Sequence, residues 1–390
     1  MKGEELMKKF LSCIVILVMS LVVITGCDTG ELDEAPVVQE EVQEAETAEE
    51  NGQEDAGGEV TEVVEVGPVE YVPRNERNIA VSLGWTENEA GQRWQLGFEE
   101  SIAEMGGNVT FANASYDVRL QAEQIETFIQ SQPDALIVVP AEPLGVSESI
   151  QRATAAGIPV FIADNFVPNT SPVVWVSFDA FSIGAWTMDV LAQEMGGTGR
   201  IGIITLRPNE FWNLRTLGAL HTLETYYPDI EIVTTWDWDP TGVITPRMAI
   251  ENMLTEFPTP DDINAIWCAW DGAAFEGLLA TAAAGRTDIL FTGSDGGEHA
   301  QELLLTNPQF VASASPMIFY EAYLLTKFMH EYLDGNDVPR VVIVPSIQLT
   351  GESLSNATVP EGWELADFDR PGLLPYFNLP VIPQIGMTAR

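Results

Sequence analysis

From residue 77 onward, short runs rich in β-branched residues alternate with longer amphipathic stretches. The short runs have the length of strands, and the longer stretches repeat their apolar residues at helical spacing. The predicted elements are strand 78–83, helix 91–105, strand 109–113, helix 120–130, strand 135–139, helix 147–156 and strand 159–163. Strands joined through helices pair in parallel, and helices then cover both faces of the sheet. The alternation therefore predicts an α/β fold built on a parallel sheet.

The same alternation begins again after a predicted strand at 173–177. Its predicted elements are helix 182–195, strand 200–205, helix 213–226, strand 231–236, helix 246–256, strand 265–269, helix 273–284 and strand 289–293. A chain of 390 residues is long enough for two domains with separate cores. The sequence thus predicts two doubly wound parallel-sheet lobes in tandem.

Polar or aromatic residues follow several of the predicted strands. They are Trp85, Asp164 with Asn165, Trp270 with Asp271, and Asp295. Ligands of open parallel sheets bind beyond the carboxyl ends of the strands, so these positions are candidates for a binding site. Asp and Asn are also ordinary helix caps and turn formers, which explains any single one equally well. The recurrence at successive strand ends favours a site.

Residues 1–27 have the pattern of an export signal, with lysines at 2, 8 and 9 before an apolar run at 10–24. That run is short for a membrane span. The Ile-Thr-Gly-Cys sequence at 24–27 resembles the lipobox of bacterial lipoproteins. The resemblance implies cleavage before Cys27 and a lipid on that residue. An uncleaved signal anchor with an incidental cysteine is the alternative.

Residues 28–74 are predicted to form an acidic disordered tether, because up to residue 70 they contain no Lys or Arg and almost no aromatic residues. The formal charge of −42 argues against binding to nucleic acid or to an anionic membrane surface. We therefore expect membrane contact through the lipid anchor only. With Cys27 acylated, Cys268 is the one cysteine left in the folded part, so no internal disulfide is expected.

Three segments in this order resemble the type I periplasmic sugar-binding proteins, the group of the ribose, galactose and xylose binders. They are Gln-Pro-Asp-Ala-Leu-Ile-Val-Val-Pro at 132–140, Ala-Gly-Ile-Pro-Val at 156–160 followed by Asp164, and Gly-Ser-Asp-Gly at 293–296. The resemblance covers residues 77–353. It implies a three-segment hinge near 177–179, 315–318 and 340–344. The lobes would then be 75–178 plus 318–341 and 179–317 plus 342–355, with a C-terminal extension at 356–390.

The resemblance also implies ligand-binding residues in the first lobe. Arg93 and Trp94 match an Arg-Trp pair in which the Arg hydrogen-bonds sugar hydroxyls and the Trp packs against the sugar. A surface Arg beside a core Trp is the alternative. Asp164 matches a position that accepts hydrogen bonds from sugar hydroxyls. Asn165 lies where many members have Arg or Lys, which leaves the hydroxyl selectivity open.

In the second lobe, Arg215 with Asn213 matches an Arg that forks onto two neighbouring hydroxyls. Trp238 falls where relatives place a tryptophan that stacks on the sugar. A solvent-facing helix Arg is the alternative for Arg215. Phe211 and Trp212 precede it and either cover the cleft or form a hydrophobic staple.

The strand ends of the second lobe complete the expected site. Asp295 matches the ligand-binding Asp of the family, and Asp271 is expected to bind as well. Trp270 stands where relatives usually have Asn, so it indicates a more aromatic pocket, with simple strand packing as the alternative.

Catalytic and cofactor motifs are missing from the sequence. It has no G-x-S-x-G, H-E-x-x-H or P-loop, and His221, His299 and His330 lack metal-ligand spacing. We therefore expect no enzyme activity, no metal and no cofactor.

The resemblance implies a monomeric extracytoplasmic lipoprotein that captures an aldopentose or aldohexose and delivers it to the permease of an ABC importer. A sugar-sensing co-receptor for a chemoreceptor or kinase uses the same pocket and stays open as an alternative. So does a different polar ligand, such as a polyol, a nucleoside or a furanosyl signal.

Overall fold

The computed structural model describes residues 72–207, 209–240 and 242–384, without the side chains of Glu210 and Phe211. The predicted export signal, Cys27 and the tether as far as residue 71 lie outside the described residues. Within the described ranges, no helix is both long enough and apolar enough to cross a membrane.

The first lobe is built on a six-stranded sheet in which every strand is parallel to its neighbours. Its strands are β1 (Asn78–Leu83), β2 (Asn108–Asn113), β3 (Ala135–Val139), β4 (Val160–Ala163), β5 (Val174–Phe178) and β11 (Val341–Val344). They lie in the order β2-β1-β3-β4-β5-β11. The helices are α1 (Glu89–Met105), α2 (Val118–Ser131), α3 (Pro143–Ala155) and α9 (Ile318–Leu333).

The second lobe repeats this plan with one antiparallel edge strand. Its strands are β6 (Gly199–Thr205), β7 (Ile230–Asp237), β8 (Ala265–Cys268), β9 (Leu290–Ser294), β10 (Phe310–Ser315) and β12 (Ile347–Leu349). The order is β7-β6-β8-β9-β10-β12, and β12 runs antiparallel to β10. The helices are α4 (Ala180–Glu194), α5 (Glu210–Tyr226), α6 (Pro246–Glu256), α7 (Asp271–Ala284), α8 (Glu298–Thr306) and the short α10 (Gly351–Ser355).

Strand β3 shows why the sequence folds into covered parallel sheets. All five of its residues, Ala-Leu-Ile-Val-Val, are buried. Ile137 packs in a core with α1 and α9, whereas its neighbours Leu136 and Val138 pack in a core with α2 and α3. Successive side chains point to opposite faces, so a strand covered on both faces must be apolar throughout. The predicted fold class is confirmed.

Helix starts differ from the predicted ones because capping residues begin the helices earlier. The Asn88 side chain accepts a hydrogen bond from the Gly91 amide at 2.8 Å, so α1 begins at Glu89. The Glu142 carboxylate accepts from the amides of Leu144 and Gly145, and α3 begins at Pro143, four residues before its predicted start at 147.

The chain passes between the lobes at three places, and the third was predicted wrongly. The predicted limit put residues 342–355 in the second lobe. Strand β11 instead pairs with β5 in the first sheet, with Val344 opposite Phe178. The crossing therefore lies between Val344 and Ile347. Adding a strand to the open edge of the first sheet pairs backbone groups that would otherwise lack partners.

The described part of the C-terminal extension, 356–384, packs against both lobes. Phe368, Phe377 and Leu379 are buried in the core of the second lobe. Ile382 is buried in the core of the first lobe, and its amide donates to the Ser346 carbonyl at 2.8 Å. Burial of large apolar side chains on both sides makes the extension part of the folded unit.

Ion pairs add to the contact between the extension and the first lobe. Asp369 pairs with Arg93 on α1 and accepts the Phe319 amide of α9 at 3.0 Å. Arg370 pairs with Glu100 on α1 at 2.5 Å. The extension is thus held to both lobes by apolar side chains and to the first lobe by ion pairs as well.

We expect Phe377→Ala to lower the free energy of unfolding by about 3–5 kcal/mol, because the ring is fully buried and its removal leaves a cavity. Tyr376→Ala is the matched control, since its side chain is 64% exposed and the change should stay within about 0.5 kcal/mol. Denaturant titration of both variants measures the difference. Equal effects would contradict an integral extension.

Candidate functional site

The carboxyl ends of the two sheets face each other and enclose a small cavity. Its volume is about 20 Å³, room for about one water molecule. The residues that line it are Trp85, Asn88, Ala90, Trp94, Asp164, Phe178, Trp212, Arg215, Asp295, Pro316 and Ile318. Both lobes and the second hinge segment contribute, so the cavity marks the centre of the cleft between the lobes.

Arg215 is the buried cation of this cavity, with an exposure of 3%. Its Nη1 donates to the Ala269 carbonyl at 2.8 Å and to Oδ1 of Asp295 at 3.3 Å. The guanidinium lies over the ring of Phe178 at 5.5 Å. Its Nε has no acceptor among the described residues. A buried N–H without a partner is costly, and a ligand oxygen is the partner that a cleft can supply.

Two glycines hold the backbone of Arg215 in place. A Cβ at Gly184 of α4 would lie 1.7 Å from the Arg215 carbonyl oxygen, and a Cβ at Gly218 of α5 would lie 2.0 Å from the Phe181 carbonyl oxygen. The two helices can approach this closely only because both positions are glycine. The guanidinium therefore projects from a rigid helix pair.

Asp164 follows β4 in a left-handed backbone conformation, with φ of 66°. Its carbonyl oxygen accepts hydrogen bonds from Nε1 of Trp175 at 3.0 Å and from the Ser177 hydroxyl at 2.8 Å. The Asn165 side chain donates to Oδ2 of Asp164 at 2.7 Å. Such a conformation is unfavourable for a residue other than glycine, so its presence at a cavity indicates a functional constraint.

Asp295 occupies the equivalent place in the second lobe, again with a positive φ, of 136°. Asp271, which was predicted to bind the ligand, lies behind the cavity. Its carboxylate accepts the Gly296 amide at 2.7 Å and the Ser313 hydroxyl at 2.8 and 2.9 Å. It does not line the cavity. Asp271 thus holds the turn that carries Asp295.

Burial raises the pKa of the carboxyl groups around the cavity. The pKa of Asp164 rises to about 7 and that of Asp295 to about 6, although the Arg215 charge lowers both. Burial also raises the pKa of Asp271 and of Glu321 well above the ordinary value. Glu321 lies on α9, fully buried, and neither carboxylate oxygen has a hydrogen-bond partner in the described structure. The region has more buried acids than its one guanidinium neutralises.

Indole rings form one wall of the cleft. The rings of Trp212 and Trp270 stack at 4.8 Å, and Trp238 stacks on both, at 6.0 Å from Trp212 and 5.1 Å from Trp270. From the first lobe, Tyr116 stacks on Trp85 at 5.5 Å and meets Trp238 edge-on at the same distance. Stacked and edge-on pairs of this kind are the favoured aromatic geometries.

Contacts between the lobes show that the cleft is closed. Tyr116 of the first lobe touches Trp238 of the second, and Phe178 lies under Arg215. At the rim, the Glu89 carboxylate of α1 accepts the Glu298 amide at the start of α8. A carboxylate at a helix N-terminus is favourable because amide dipoles point at it.

Arg93 does not reach the cavity, contrary to its prediction as a ligand residue. Its guanidinium pairs with Asp369 of the extension and lies over the Phe319 ring at 4.9 Å. It lines a neighbouring pocket of about 190 Å³, which shares Ala90, Asp295 and Ile318 with the cavity. The ion pair with Asp369 of the extension holds this side chain, and the sequence around residue 93 gives no indication of that pair.

The other predicted residues divide into those that reach the cavity and those behind it. Trp94 lines the cavity and stacks on Phe98 at 5.8 Å in the core of the first lobe. Trp238 and Trp270 stand behind Trp212 in the indole stack. Asn213 is half-buried on α5 and does not line the cavity.

Several residues of the cleft were not predicted to bind. Tyr116 follows β2 and could have been found by the rule that located Asp164, since it too stands after a strand. Phe178 also follows a predicted strand, the one at 173–177, and was placed in the hinge. Glu321 carries no such signal, because a helix Glu is ordinary in sequence. Only the packing of α9 against the first sheet brings Glu321 near the cleft. In the described ranges no set of three metal-ligating side chains comes together.

Comparison with known proteins gives a family match over most of the folded part. The family model described as "Periplasmic binding protein domain" matches residues 79–337. A ribose import binding protein of Bacillus subtilis is 23% identical over 272 residues, which are 70% of this chain and 87% of that protein. A D-apiose import binding protein of Actinobacillus succinogenes is 24% identical, covering 56% of this chain and 69% of the relative.

Solved structures show the same fold. An ABC sugar transporter subunit from Rhodobacter sphaeroides superimposes with a TM-score of 0.65 and 25% identity, over 71% of this chain and 98% of that one. A solute-binding protein from Bacillus halodurans with bound myo-inositol has a TM-score of 0.65 and 23% identity, over 73% and 97% of the two chains.

We expect the melting temperature without ligand to fall as pH rises from about 6.5 to 8. Folded Asp164 binds protons up to a pKa of about 7, whereas an unfolded Asp has lost its proton above about 4, so deprotonation favours unfolding. Below about pH 6.5, His330 acts in the opposite direction, because burial lowers its pKa to about 4. The predicted fall in melting temperature therefore applies only above about pH 6.5.

Asp164→Asn isolates the group, since it removes the charge and keeps the shape. We expect it to raise the melting temperature at pH 8 by roughly 2–5 °C and to flatten the pH dependence. Glu148→Gln, whose side chain is exposed, serves as control. Identical slopes for wild type and Asp164→Asn in differential scanning calorimetry would contradict the buried-acid assignment.

Proposed function

The chain belongs to the periplasmic binding protein domain family, and from this we propose that it is an extracytoplasmic solute-binding protein for an ABC importer. Its solute is a monosaccharide, an aldopentose or an aldohexose, held in the cleft between the lobes. Relatives that carry import-binding names for ribose and apiose support this assignment.

The observation that carries the proposal is the meeting of Arg215 and Asp295 with Asp164 inside one closed cleft. A sugar hydroxyl both donates and accepts hydrogen bonds. Carboxylates of Asp164 and Asp295 accept from it, and the unpartnered Nε of Arg215 donates to it. Hydrogen bonds to charged groups contribute roughly 1.5–3 kcal/mol each, so a few of them with one stacked ring reach micromolar affinity, about −8 kcal/mol.

Entry of the sugar requires the lobes to separate. The closed cavity of about 20 Å³ is far smaller than a monosaccharide, and the indole rings occupy the space beside it. A hinge motion at the three crossings would part the Tyr116–Trp238 contact and expose Arg215. Ligand then shifts the population toward a closed form by the contacts that it makes with both lobes.

Lipid attachment at Cys27 completes the proposal. A lipid there keeps the binding protein beside a membrane permease, and the acidic tether gives it reach, although its predicted end at 74 is too late because Arg74 pairs with Asp334 of the first lobe. The lipobox at 24–27 supports this step. Membership of a family of binding proteins favours capture of the solute over catalysis on it.

A second candidate is a polyol as the ligand. Solved neighbours hold myo-inositol and allitol, and one relative is a xylitol-binding protein. The Arg215–Asp295 pair serves acyclic hydroxyls as well as ring hydroxyls. A sensory co-receptor role uses the same capture step and differs only in the membrane partner.

The test is a thermal-shift screen of the purified full chain in mild detergent against pentoses, hexoses, polyols and nucleosides. A ligand that binds only the folded state raises stability by about 2.7 kcal/mol at 100 times its Kd. We expect a clear rise with one aldose. A rise with a polyol alone would select the second candidate, and silence with every compound would contradict the proposal.

Substitutions at the cavity then test the site itself. We expect Arg215→Ala and Asp295→Ala each to weaken binding of the solute found in the screen by about tenfold or more, the loss of one charged hydrogen bond. Asn213→Ala is the control on the same helix, because Asn213 does not line the cavity. Calorimetric titration measures the affinities. Unchanged affinity in both cavity variants, with folding verified by melting curves, would rule out this site.

A further inference from the structure

Carboxylates outnumber guanidinium groups inside the cleft. The cavity is lined by Asp164 and Asp295 against Arg215, and Glu321 lies buried behind it. Arg93, the other arginine nearby, is neutralised by Asp369. Burial raises the pKa of all three acids, so protons compensate part of their charge in the empty cleft. Once they ionise beside a cation, the cavity has more negative charge than Arg215 alone balances.

The adjoining pocket repeats the imbalance. It shares Asp295 with the cavity and adds Glu89, Glu298 and Asp369, with Arg93 as its one cation among the described lining residues. A ligand that occupies the cleft thus meets acids on both sides of Asp295.

The acidity of the whole chain does not account for this pattern. A net charge of −42 is tolerated on a surface, where water solvates each carboxylate. Asp164 is 8% exposed and Glu321 is fully buried, and a buried carboxylate is destabilising unless a partner compensates it. A bound proton compensates such a group in the empty cleft, and a positively charged ligand would compensate the ionised group when it displaces that proton.

The aromatic lining suits a cation as well as a sugar ring. Trp85, Trp94 and Trp212 line the same cavity as the two aspartates. The face of an indole attracts a cation, most strongly where water is excluded. An ammonium group between an indole face and a carboxylate is stabilised by both.

Unpartnered donors at the cavity favour a ligand that also carries acceptors. Nε of Arg215 and Nε1 of Trp85 are buried at the cavity, and neither has an acceptor among the described residues. An ammonium group alone cannot accept a hydrogen bond, whereas a hydroxyl can. The site therefore favours a molecule that carries both an ammonium group and hydroxyl groups.

We propose that the solute is an amino sugar or a similar amine-bearing polyol, whose ammonium group lies against Asp164 and Asp295 while its hydroxyls accept from Arg215 and Trp85. This inference rests on the proposed function, since it specifies the ligand of the same cleft. It adds a positive charge to the hydroxyl pattern of a monosaccharide.

The experiment compares three forms of one sugar on the full chain by calorimetric titration at about pH 7, where an amine is still largely protonated and Asp164 is close to its pKa. The probes are glucosamine, glucose and N-acetylglucosamine, and the matching galactose series. We expect the amino form of one series to bind about tenfold or more tightly than its neutral parent, the gain of one charge-assisted hydrogen bond. The acetylated form, which has lost the charge, should also bind more weakly.

Two variants show whether the preference comes from the cleft. Asp164→Asn keeps the shape of the side chain and should reduce the ratio of the two dissociation constants toward one. Glu148→Gln removes an exposed charge elsewhere on the first lobe and should leave the ratio unchanged. If both variants lower the ratio equally, general attraction by the acidic chain explains the preference, and the inference fails.

The two proposals fail in different ways. Binding of a neutral sugar or polyol as tightly as the amino forms overturns the amine inference and leaves the solute-binding function standing. Absence of binding to these probes overturns the amine inference, and only silence with every compound of the thermal-shift screen as well overturns the solute-binding function.

Discussion

Arg215 meets carboxyl groups of both lobes at a place that water hardly reaches, and the cleft depends on that meeting. Its guanidinium joins Asp295 directly and lowers the pKa of Asp164 across the cleft. Removing one partner of a buried charge group leaves the other uncompensated, which is strongly destabilising. The Gly184–Gly218 approach, which fixes the helix under Arg215, is therefore as important to the site as the charges.

The rest of the architecture brings these groups together. Parallel strands place Asp164 and Asp295 at equivalent positions, each after a buried strand and each with a positive φ. Because the lobes face each other through the same edge of their sheets, residues that are 131 positions apart in sequence converge on one cavity. The indole stack then excludes water, which strengthens every charged hydrogen bond inside.

Sequence periodicity was sufficient for the fold because strand and helix spacing are local properties, and most element limits differ from the predicted ones by a few residues of capping. The strand-end rule predicted Asp164 and Asp295, and the family resemblance added Arg215; the structure places all three at one cavity. Prediction from local sequence failed where a residue far away in the chain determines the contact. Arg93 forms an ion pair with Asp369 and therefore does not line the cavity. Strand β11 joins the first sheet, although a lobe boundary was predicted there.

The extension that packs on both lobes also bears on how wide the cleft can open. Because the extension contacts both lobes, separating the lobes strains its contacts. The Arg93–Asp369 and Arg370–Glu100 ion pairs are among the contacts that resist this separation. If the extension limits the separation of the lobes in this way, the width of the opening restricts the size of any solute that enters, in addition to the contacts inside.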